Sequence, residues 1–341
     1  MPSTGARLGD VGEKRLLERI VGELLAPHWR CPSLGPGDDA ACASPTAPRL
    51  LVKIDGGSVA GSLAPWMSPA DLGWQWVAAA ASDLAAKAAR PLAFVVSLGA
   101  PPEWGVEDLL GLLRGAGEAA EAHGAWLAGG DTNSAPGGGG WVDVAAVGLA
   151  APSWGPVGLA PRPGDLVYAT TGRHGLGWLA LEALRRPGLL EDASVRRALV
   201  EWSRPLARLG FATAASWLPR GCVTAATDTS DGLGDALARL SRAAGVGVEL
   251  EALPPLHPVA EAVAVDPALA ALMGGQEYEV VFTVSPGCQE AVEGALEAAG
   301  LEASRLGVLG DGLPAGWARL GGRRLRLAGW DQFLGAPQEG G

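Results

Sequence analysis

Apolar residues in this chain form two kinds of pattern, helical stripes and short continuous runs, and turn residues separate them. In the first half, three segments carry apolar residues at the spacing of a helix: 8–25, 69–89 and 106–123. Continuous apolar runs predict strands at 50–54, 92–98, 126–128 and 141–149. Helices therefore alternate with strands, which is typical of a sheet covered by helices.

The second half repeats this alternation after an irregular segment. Residues 150–164 are rich in Pro and Gly and have no periodicity, so we predict a domain boundary there. The strands predicted beyond it are 165–171, 223–226, 246–251 and 279–284, and the clearest helices are 178–185, 233–244 and 289–299. The chain is thus predicted to be an α/β (α+β) protein with two domains, residues 1–150 and 160–341.

Composition and charge exclude several classes of protein. The 341 residues include 37 acidic and 26 basic side chains, which give a formal net charge of −11. Without a basic patch, this balance argues against a nucleic-acid partner. No stretch of about 18 apolar residues lacks a charge, so we expect no membrane span. The polar and charged N-terminus is unlike a secretory signal.

The cysteines and histidines lack the spacing of a metal site. The four cysteines, Cys31, Cys42, Cys222 and Cys288, are far apart and include no C-x-x-C pair. The four histidines are scattered and include no H-E-x-x-H motif. We therefore expect neither a zinc site nor a disulfide framework, and we expect a reducing, cytoplasmic location.

Aspartates recur at the predicted ends of strands and helices. They are Asp38, Asp39, Asp55, Asp83, Asp131, Asp228 and Asp231. Capping or turn formation explains an aspartate at a single turn, but five such groups favour a shared site. Gathered carboxylates repel each other, and a cation makes the group tolerable. Since Mg²⁺ binds through carboxylates together with substrate phosphates, the pattern predicts Mg²⁺ and nucleotide chemistry.

The segment 228–233, Asp-Thr-Ser-Asp-Gly-Leu, leads into the helix predicted at 233–244. Ser230 or Asp231 is expected to cap this helix, and free N–H groups at its start are candidates for binding a phosphate. The sequence lacks the phosphate motifs of P-loop enzymes and protein kinases. The glycine-rich segment 172–177 resembles such a loop only loosely.

Taken in order, these motifs resemble those of the thiamine-monophosphate kinase family. This family lies within the superfamily of aminoimidazole ribonucleotide synthase, selenophosphate synthetase and a hydrogenase-maturation protein. The resemblance covers about residues 10–335, and the last two motifs favour the thiamine-monophosphate branch. The motifs are Gly37-Asp38-Asp39-Ala40-Ala41, Ser82-Asp83-Leu84-Ala85-Ala86, Gly129-Gly130-Asp131-Thr132, Arg162-Pro163-Gly164-Asp165, Asp228-Thr229-Ser230-Asp231-Gly232-Leu233, Gly274-Gly275-Gln276-Glu277-Tyr278-Glu279 and Gly329-Trp330-Asp331-Gln332-Phe333.

The resemblance implies an aminoimidazole-ribonucleotide-synthase-like fold and Mg²⁺-dependent transfer of the ATP γ-phosphate to thiamine monophosphate, giving thiamine diphosphate. It implies that residues 1–150 bind ATP and Mg²⁺ and form a homodimer through their sheet. All seven aspartates would hold Mg²⁺, with Asp131 and Asp228 at the reacting phosphate. The resemblance implies that Gly130 and Ser230 contact ATP and that Trp330 contacts the substrate. Lys53 is also predicted to contact ATP, and Ser62 and Gln276 are predicted to contact the substrate because they stand at the family's substrate positions.

Four residues, at three places in the chain, depart from the family pattern. Lys53-Ile54 stand where the family has two threonines, Ser62 where it has a histidine, and Gln276 where it has a glutamate. Three alternatives follow. The chain is a divergent thiamine-monophosphate kinase in which Lys53 does part of the work of a metal ion, a paralogue that uses ATP and Mg²⁺ on another small substrate, or a nucleotide-binding dimer without catalysis.

Overall fold

Two sheets, each covered by helices, make up the described part of the chain. The computed structural model describes residues 14, 15, 18, 21, 22, 38–42, 49–150, 157–331 and 333. The helix expected over 8–25 lies mostly outside these residues. The elements of the first half are β1 (Ala41–Cys42), β2 (Leu50–Ser58), α1 (Val59–Ser62), α2 (Pro69–Ala86), β3 (Ala89–Ala100), α3 (Val106–Ala122), β4 (Trp126–Ser134) and β5 (Trp141–Ala150).

The first sheet has the strand order β1-β2-β5-β3-β4, and α2 and α3 pack on one of its faces. Helix α2 starts with a capping box, in which Ser68 accepts from the Asp71 N–H and Asp71 accepts from the Ser68 N–H. Its alanine-rich body is buried along almost its whole length. Glycines let the two helices approach closely, because a Cβ at Gly73 would lie 2.0 Å from the Leu112 carbonyl oxygen.

The other face of this sheet is apolar and exposed. One cross-strand row runs Val52, Val147, Ala93 and Trp126, and the next runs Ile54, Ala145 and Val95. Ile54 and Trp126 are 65% and 63% exposed. A contiguous exposed apolar surface of this kind commonly marks an interaction site.

The second half forms a sheet of strand order β12-β11-β8-β10-β6-β9-β7. Its strands are β6 (Leu166–Thr170), β7 (Val223–Asp228), β8 (Gly247–Leu250), β9 (Val280–Val284), β10 (Ala303–Gly310), β11 (Trp317–Leu320) and β12 (Arg323–Arg326). Its helices are α4 (Leu176–Arg185), α5 (Ala193–Ser203), α6 (Leu209–Trp217), α7 (Leu233–Ala244), α8 (Pro258–Val263), α9 (Pro267–Met273) and α10 (Gln289–Ala298).

Helices cover both faces of the second sheet. On one face, α7 packs its leucines against Val248 and Val281. On the other face, Phe282 stacks on Tyr168 and contacts Phe211 of α6. This two-sided burial explains why β6, β7 and β9 read as continuous apolar runs rather than as alternating patterns. The predicted α/β (α+β) class is confirmed.

Most predicted elements are present, and the differences lie at their ends. Helix α7 has the predicted bounds, whereas β2 and β3 are longer than the apolar runs that predicted them. Strand β4 continues beyond the predicted 126–128 through Gly129-Gly130-Asp131, because this stretch pairs with β3, which lies between β5 and β4 in the sheet. Within the described ranges, no helix is both long and apolar enough to cross a bilayer.

The cysteines differ from the sequence expectation. Cys222, next to the start of β7, and Cys288, next to the start of α10, form a disulfide. Their separation of 66 residues hid the pairing, because only the sheet brings the two segments together. The bond joins the strand at the edge of the second sheet to the helix that covers it.

We predict that loss of this disulfide destabilises the second half of the chain. In the chain-entropy model, a closed loop of 66 residues stabilises the fold by about 4 kcal/mol. The double variant Cys222→Ala/Cys288→Ala should therefore unfold at a lower temperature than the wild type in calorimetry. A reductant should lower the melting temperature of the wild type and leave the double variant unchanged. An unchanged wild-type melting temperature in reductant would contradict the prediction.

Candidate active site

Four segments bring acidic and basic side chains together between the two sheets. They are the Asp38-Asp39 turn, the middle of β2, the C-terminal half of α2 and the end of β7. Asp39, Asp83 and Asp228 are at least 95% buried. Helix α2 contacts both β2 and β7, so it connects the first sheet to the second at this point. Five of the predicted metal ligands therefore meet: Asp38, Asp39, Asp55, Asp83 and Asp228.

Lys53 lies among these carboxylates. Its Nζ is 2.8 Å from Asp83 Oδ2 and 3.9 Å from Asp55 Oδ2. Burial would lower the pKa of Lys53, but Asp83 and Asp55 raise it above its usual value, so the ammonium stays charged. Strand alternation places Lys53 and Asp55 on the covered face of the sheet, opposite the exposed Ile54.

Two further cations compensate Asp38 and Asp39. Lys87 Nζ is 2.5 Å from Asp38 Oδ1 and 3.1 Å from Asp39 Oδ2, and it donates to the Ala226 carbonyl. Arg239 Nη1 is 2.5 Å from Asp39 Oδ1. Burial would raise the pKa of Asp39, but Arg239 and Lys87 hold it below its usual value.

The carboxylate of Asp228 has fewer positively charged neighbours than that of Asp39. Its Oδ1 accepts from the Ser230 hydroxyl at 2.9 Å and from the Ser230 N–H at 3.3 Å. Its buried Oδ2 has no hydrogen-bond partner among the described residues. Burial, together with the charge of Asp39, raises the pKa of Asp228 to about 6. Burial likewise raises the pKa of Asp83 well above its usual value.

The fixed cations leave few carboxylate oxygens in this group free for a metal ion. Over the ranges that the structure describes, no three acidic, histidine or cysteine side chains are arranged to hold an ion by themselves. The physical reason is that Lys53, Lys87 and Arg239 lie between the carboxylates. Mg²⁺ commonly takes one or two carboxylates and completes its shell with phosphate oxygens and water. The unpartnered oxygen of Asp228 fits such a ligand.

The structure does not bring Asp131 to this group. Asp131 on β4 pairs with Ser97 on β3, and Ser97 pairs in turn with Asp143 on β5. These residues lie on the exposed face of the first sheet. The Asn133 amide donates to Asp131 Oδ2 at 2.7 Å. Gly130 has a steric role, because a Cβ there would lie 2.1 Å from the Val96 carbonyl oxygen.

Asp231 takes part in a separate ion pair. Lys14 Nζ lies 2.8 Å from Asp231 Oδ2 and 2.9 Å from Asp235 Oδ1. Trp330 lies nearby, since its backbone N–H donates to the Asp231 carbonyl. The expected side-chain cap on α7 is wrong, because the cap residue is Gly232 and neither Ser230 nor Asp231 bonds the helix amides. The Asp228 and Lys14 contacts hold those side chains elsewhere.

Backbone hydrogen bonds tie the loop after β7 to the segment before β9. The Gln276 N–H donates to the Ser230 carbonyl, and the Thr229 N–H donates to the Glu279 carbonyl. Gln276 and Tyr278 both adopt positive φ, a conformation that is costly for residues other than glycine. Burial and nearby carboxylates, including Asp55 and Asp228, raise the pKa of the Tyr278 phenol. The strained segment thus presents Tyr278 toward the acidic group.

The side chain of Glu277 binds the glycine-rich segment 172–177. Its buried carboxylate accepts from the N–H groups of Gly175 and Gly177 at the start of α4. These amides are therefore occupied by a protein side chain and are not free for a phosphate. The loose resemblance to a nucleotide loop reflects a helix capped by a carboxylate from a distant segment.

Two of the predicted substrate residues, Ser62 and Gln276, lie beside α2. Gln75 Nε2 donates to Gln276 Oε1 at 3.2 Å. A Cβ at Gly57 would contact both the Trp76 ring and Ser62 Oγ, so Ser62 borders the same helix. Trp202 donates to the Gly275 carbonyl and meets Trp66 edge-on, with 6.0 Å between ring centres. The indole N–H groups of Trp66 and Trp76 are buried and have no partner among the described residues.

Sequence reasoning missed Lys87, Arg239, Gln75 and the aromatic residues around Gln276. One signal was available for Lys87, since it follows Asp83 by four residues at the end of an alanine-rich helix with few other charges. Arg239 lies on the polar side of an amphipathic helix, where a solvated arginine is the usual interpretation. Its contact with Asp39 joins residues 200 positions apart, which no local pattern indicates.

Comparisons with known proteins agree with this architecture. Residues 37–150 match the family described as AIR synthase related protein, N-terminal domain, and residues 162–313 match its C-terminal domain. A thiamine-monophosphate kinase from Pyrobaculum calidifontis is 33% identical over 284 residues, covering 82% of this chain and 84% of that protein.

Two solved structures are similar to this one. A crystal structure of a protein from Thermus thermophilus has a TM-score of 0.79 and 36% identity, covering 90% of this chain and 96% of that chain. A thiamine-monophosphate kinase from Stenotrophomonas maltophilia has a TM-score of 0.68 and 28% identity, covering 86% and 92%.

We predict that Asp228→Asn stabilises the metal-free protein at neutral pH. Because the folded pKa of about 6 lies above the ordinary 3.8, folding retains a proton that the unfolded chain loses between these values. Stability from this group is therefore present below about pH 4 and is lost as the pH rises through 6, a cost of about 3 kcal/mol at pH 7. Asparagine removes that cost.

Urea unfolding in EDTA at pH 4 and pH 7 measures this effect. Asp228→Asn should exceed the wild type in free energy of unfolding at pH 7, and the difference should shrink at pH 4. The exposed turn residue Asp311, changed to Asn, is the matched control and should leave both values unchanged. A variant that is no more stable than the wild type at pH 7 would show that Asp228 is not under electrostatic strain.

Proposed function

Since this chain belongs to the thiamine-monophosphate kinase family, within the AIR synthase related proteins, we propose that it transfers the γ-phosphate of ATP to thiamine monophosphate. The product is thiamine diphosphate. The observation that carries the proposal is the meeting of Asp55, Asp83 and Asp228 between the sheets, where Asp228 retains an unpartnered buried oxygen. Such a site suits a phosphate-bound cation.

Transfer of phosphate from ATP commonly uses Mg²⁺, and the carboxylates around Asp228 are suited to this ion. Asp55, Asp83 and Asp228 would hold it, with Lys53 among them as a fixed positive charge. The ion supplies charge neutralisation for the phosphate oxygens. The remaining part of the shell is left to nucleotide phosphates and water, in keeping with the small number of free carboxylates.

The other side chains position the phosphates. The start of α7 has no side-chain cap, so its N–H groups are free to meet an anionic group near Ser230. Lys53 adds an ammonium that contacts phosphate as a point charge. In-line phosphoryl transfer needs placement and charge compensation, and the acceptor is already an anionic phosphate. No protein nucleophile is therefore required.

The acceptor side is aromatic and neutral. Trp202 donates to the carbonyl of Gly275, next to Gln276, and Trp66 packs edge-on against Trp202. Aromatic rings suit a cationic heteroaromatic group. Ser62 and Trp330 border the same region in the proposal. The neutral Gln276 favours the alternative that another small phosphate is the acceptor, since it cannot pair with a cation as a glutamate would.

The two halves divide these tasks in the proposal. Residues 1–150 would bind ATP and Mg²⁺ and form a homodimer through the exposed sheet face, and residues 160–341 would complete the site. Asp131 lies on that face, so a second copy would cover it. Use of ATP suits a cytoplasmic enzyme, although the disulfide between Cys222 and Cys288 is unusual for a reducing compartment.

We predict that the chain forms thiamine diphosphate from thiamine monophosphate, ATP and Mg²⁺. Asp228→Asn should lower kcat about a hundredfold or more, because it removes a carboxylate that would hold the phosphate-bound cation. Asp311→Asn should keep full turnover. Product formation is measured chromatographically, against a panel of other small phosphates. Turnover only on another acceptor would favour the paralogue, and no turnover on any acceptor would favour the non-catalytic dimer.

We also predict that Val95→Glu makes the protein monomeric. Val95 is 44% exposed at the centre of the apolar sheet face, and a buried unpaired carboxylate would oppose assembly. Multi-angle light scattering measures the mass in solution. Leu184→Glu, at a residue 51% exposed on α4, is the matched control and should stay dimeric. A dimer that survives Val95→Glu would place the interface elsewhere.

A further inference from the structure

A lysine outside the acidic motifs fills a pocket of oxygen atoms beside the proposed metal site. Lys87 follows α2 directly, and its side chain is fully buried. Its Nζ contacts one oxygen from each of Asp38, Asp39 and the Ala226 backbone. The ammonium donates a hydrogen bond to the Ala226 carbonyl, and the Asp38 and Asp39 oxygens lie within ion-pair distance of it.

This set of oxygens is the kind that a hard divalent cation binds. Two carboxylates and a backbone carbonyl are typical ligands of Mg²⁺ and Ca²⁺. They converge from the Asp38-Asp39 turn and from β7, two segments far apart in the chain. The lysine thus sits where a cation would otherwise be required to keep the two carboxylates together.

Arg239 adds a second positive charge beside Asp39. Its guanidinium lies 2.5 Å from Asp39 Oδ1, and the Thr227 hydroxyl donates to the same oxygen at 3.1 Å. Both oxygens of Asp39 therefore face protein cations. Asp39 Oδ2 accepts no hydrogen bond but lies 3.1 Å from the Lys87 ammonium, whereas Asp228 Oδ2 has neither a hydrogen bond nor an ion pair among the described residues.

We propose that Lys87 is a built-in cation that takes the place of a divalent ion at Asp38 and Asp39. These two aspartates, which the motif pattern assigned to Mg²⁺, then bind Lys87 and Arg239 and not the metal. The inference rests on the proposed function for the identity of the metal. It confines metal binding to the end of the group formed by Asp55, Asp83 and Asp228.

Counting bound Mn²⁺ tests this inference without any enzyme assay. Free Mn²⁺ is measured by electron paramagnetic resonance during titration of the full chain without nucleotide. Lys87→Met should bind one more Mn²⁺ per chain than the wild type, and adding Asp38→Asn to it should abolish the extra ion. Arg114→Met removes an equal charge from an exposed ion pair on α3 and should leave the count unchanged. An unchanged count in Lys87→Met would overturn the proposal.

A second measurement holds even where Lys87→Met does not fold. In the wild-type background, Asp38→Asn should leave the Mn²⁺ count unchanged, whereas Asp83→Asn should lower it. Loss of an ion in Asp38→Asn would show that Asp38 ligates metal despite Lys87. These counts do not depend on the acceptor, so a failure to phosphorylate thiamine monophosphate would sink the proposed function and leave this inference standing.

Discussion

The ammonium group of Lys87 has no contact with solvent, and oxygens from three residues surround it. Two of those oxygens belong to the turn that precedes the first sheet, and the third belongs to a strand of the second sheet. Removing carboxylates from water is costly unless opposite charge meets them with good geometry. This ion group therefore fixes where the two sheets meet, and the rest of the site is arranged around it.

The second half contains its own network of charged and polar side chains around Glu279, next to the loop that follows Asp228. Glu279 accepts from the Thr170 hydroxyl and forms an ion pair with Arg208. Its backbone N–H donates to the hydroxyl of the buried Thr229, which lies in the loop that follows Asp228. The network thereby supports the two residues with positive φ, Gln276 and Tyr278. Rigid support of this kind lets a binding site keep conformations that a loop alone would not hold.

An acidic protein that handles phosphates has to solve two electrostatic problems at once. The carboxylates must be tolerated before the ligand arrives, and their charge must not repel the nucleotide afterwards. Fixed cations solve the first problem at Asp38, Asp39 and Asp83. In the proposed function, a cation held between the carboxylates and the phosphates solves the second, and Asp228 keeps a free oxygen for it. The raised pKa of Asp228 is the cost of keeping that oxygen available.

Local patterns along the sequence determined most of the helices and strands, the α/β class and the motifs that carry the family resemblance. Hydrophobic periodicity and turn residues act over a few positions, so α7 and the strand cores follow directly from them. Tertiary structure decided which carboxylates meet: Asp131 lies on the opposite face of its sheet, and Asp231 pairs with Lys14. It also decided the partners of Asp39 and of Cys222, because Arg239 and Cys288 come into reach only when the sheets form. Contacts between residues this far apart depend on strand order and helix packing, which no short segment encodes.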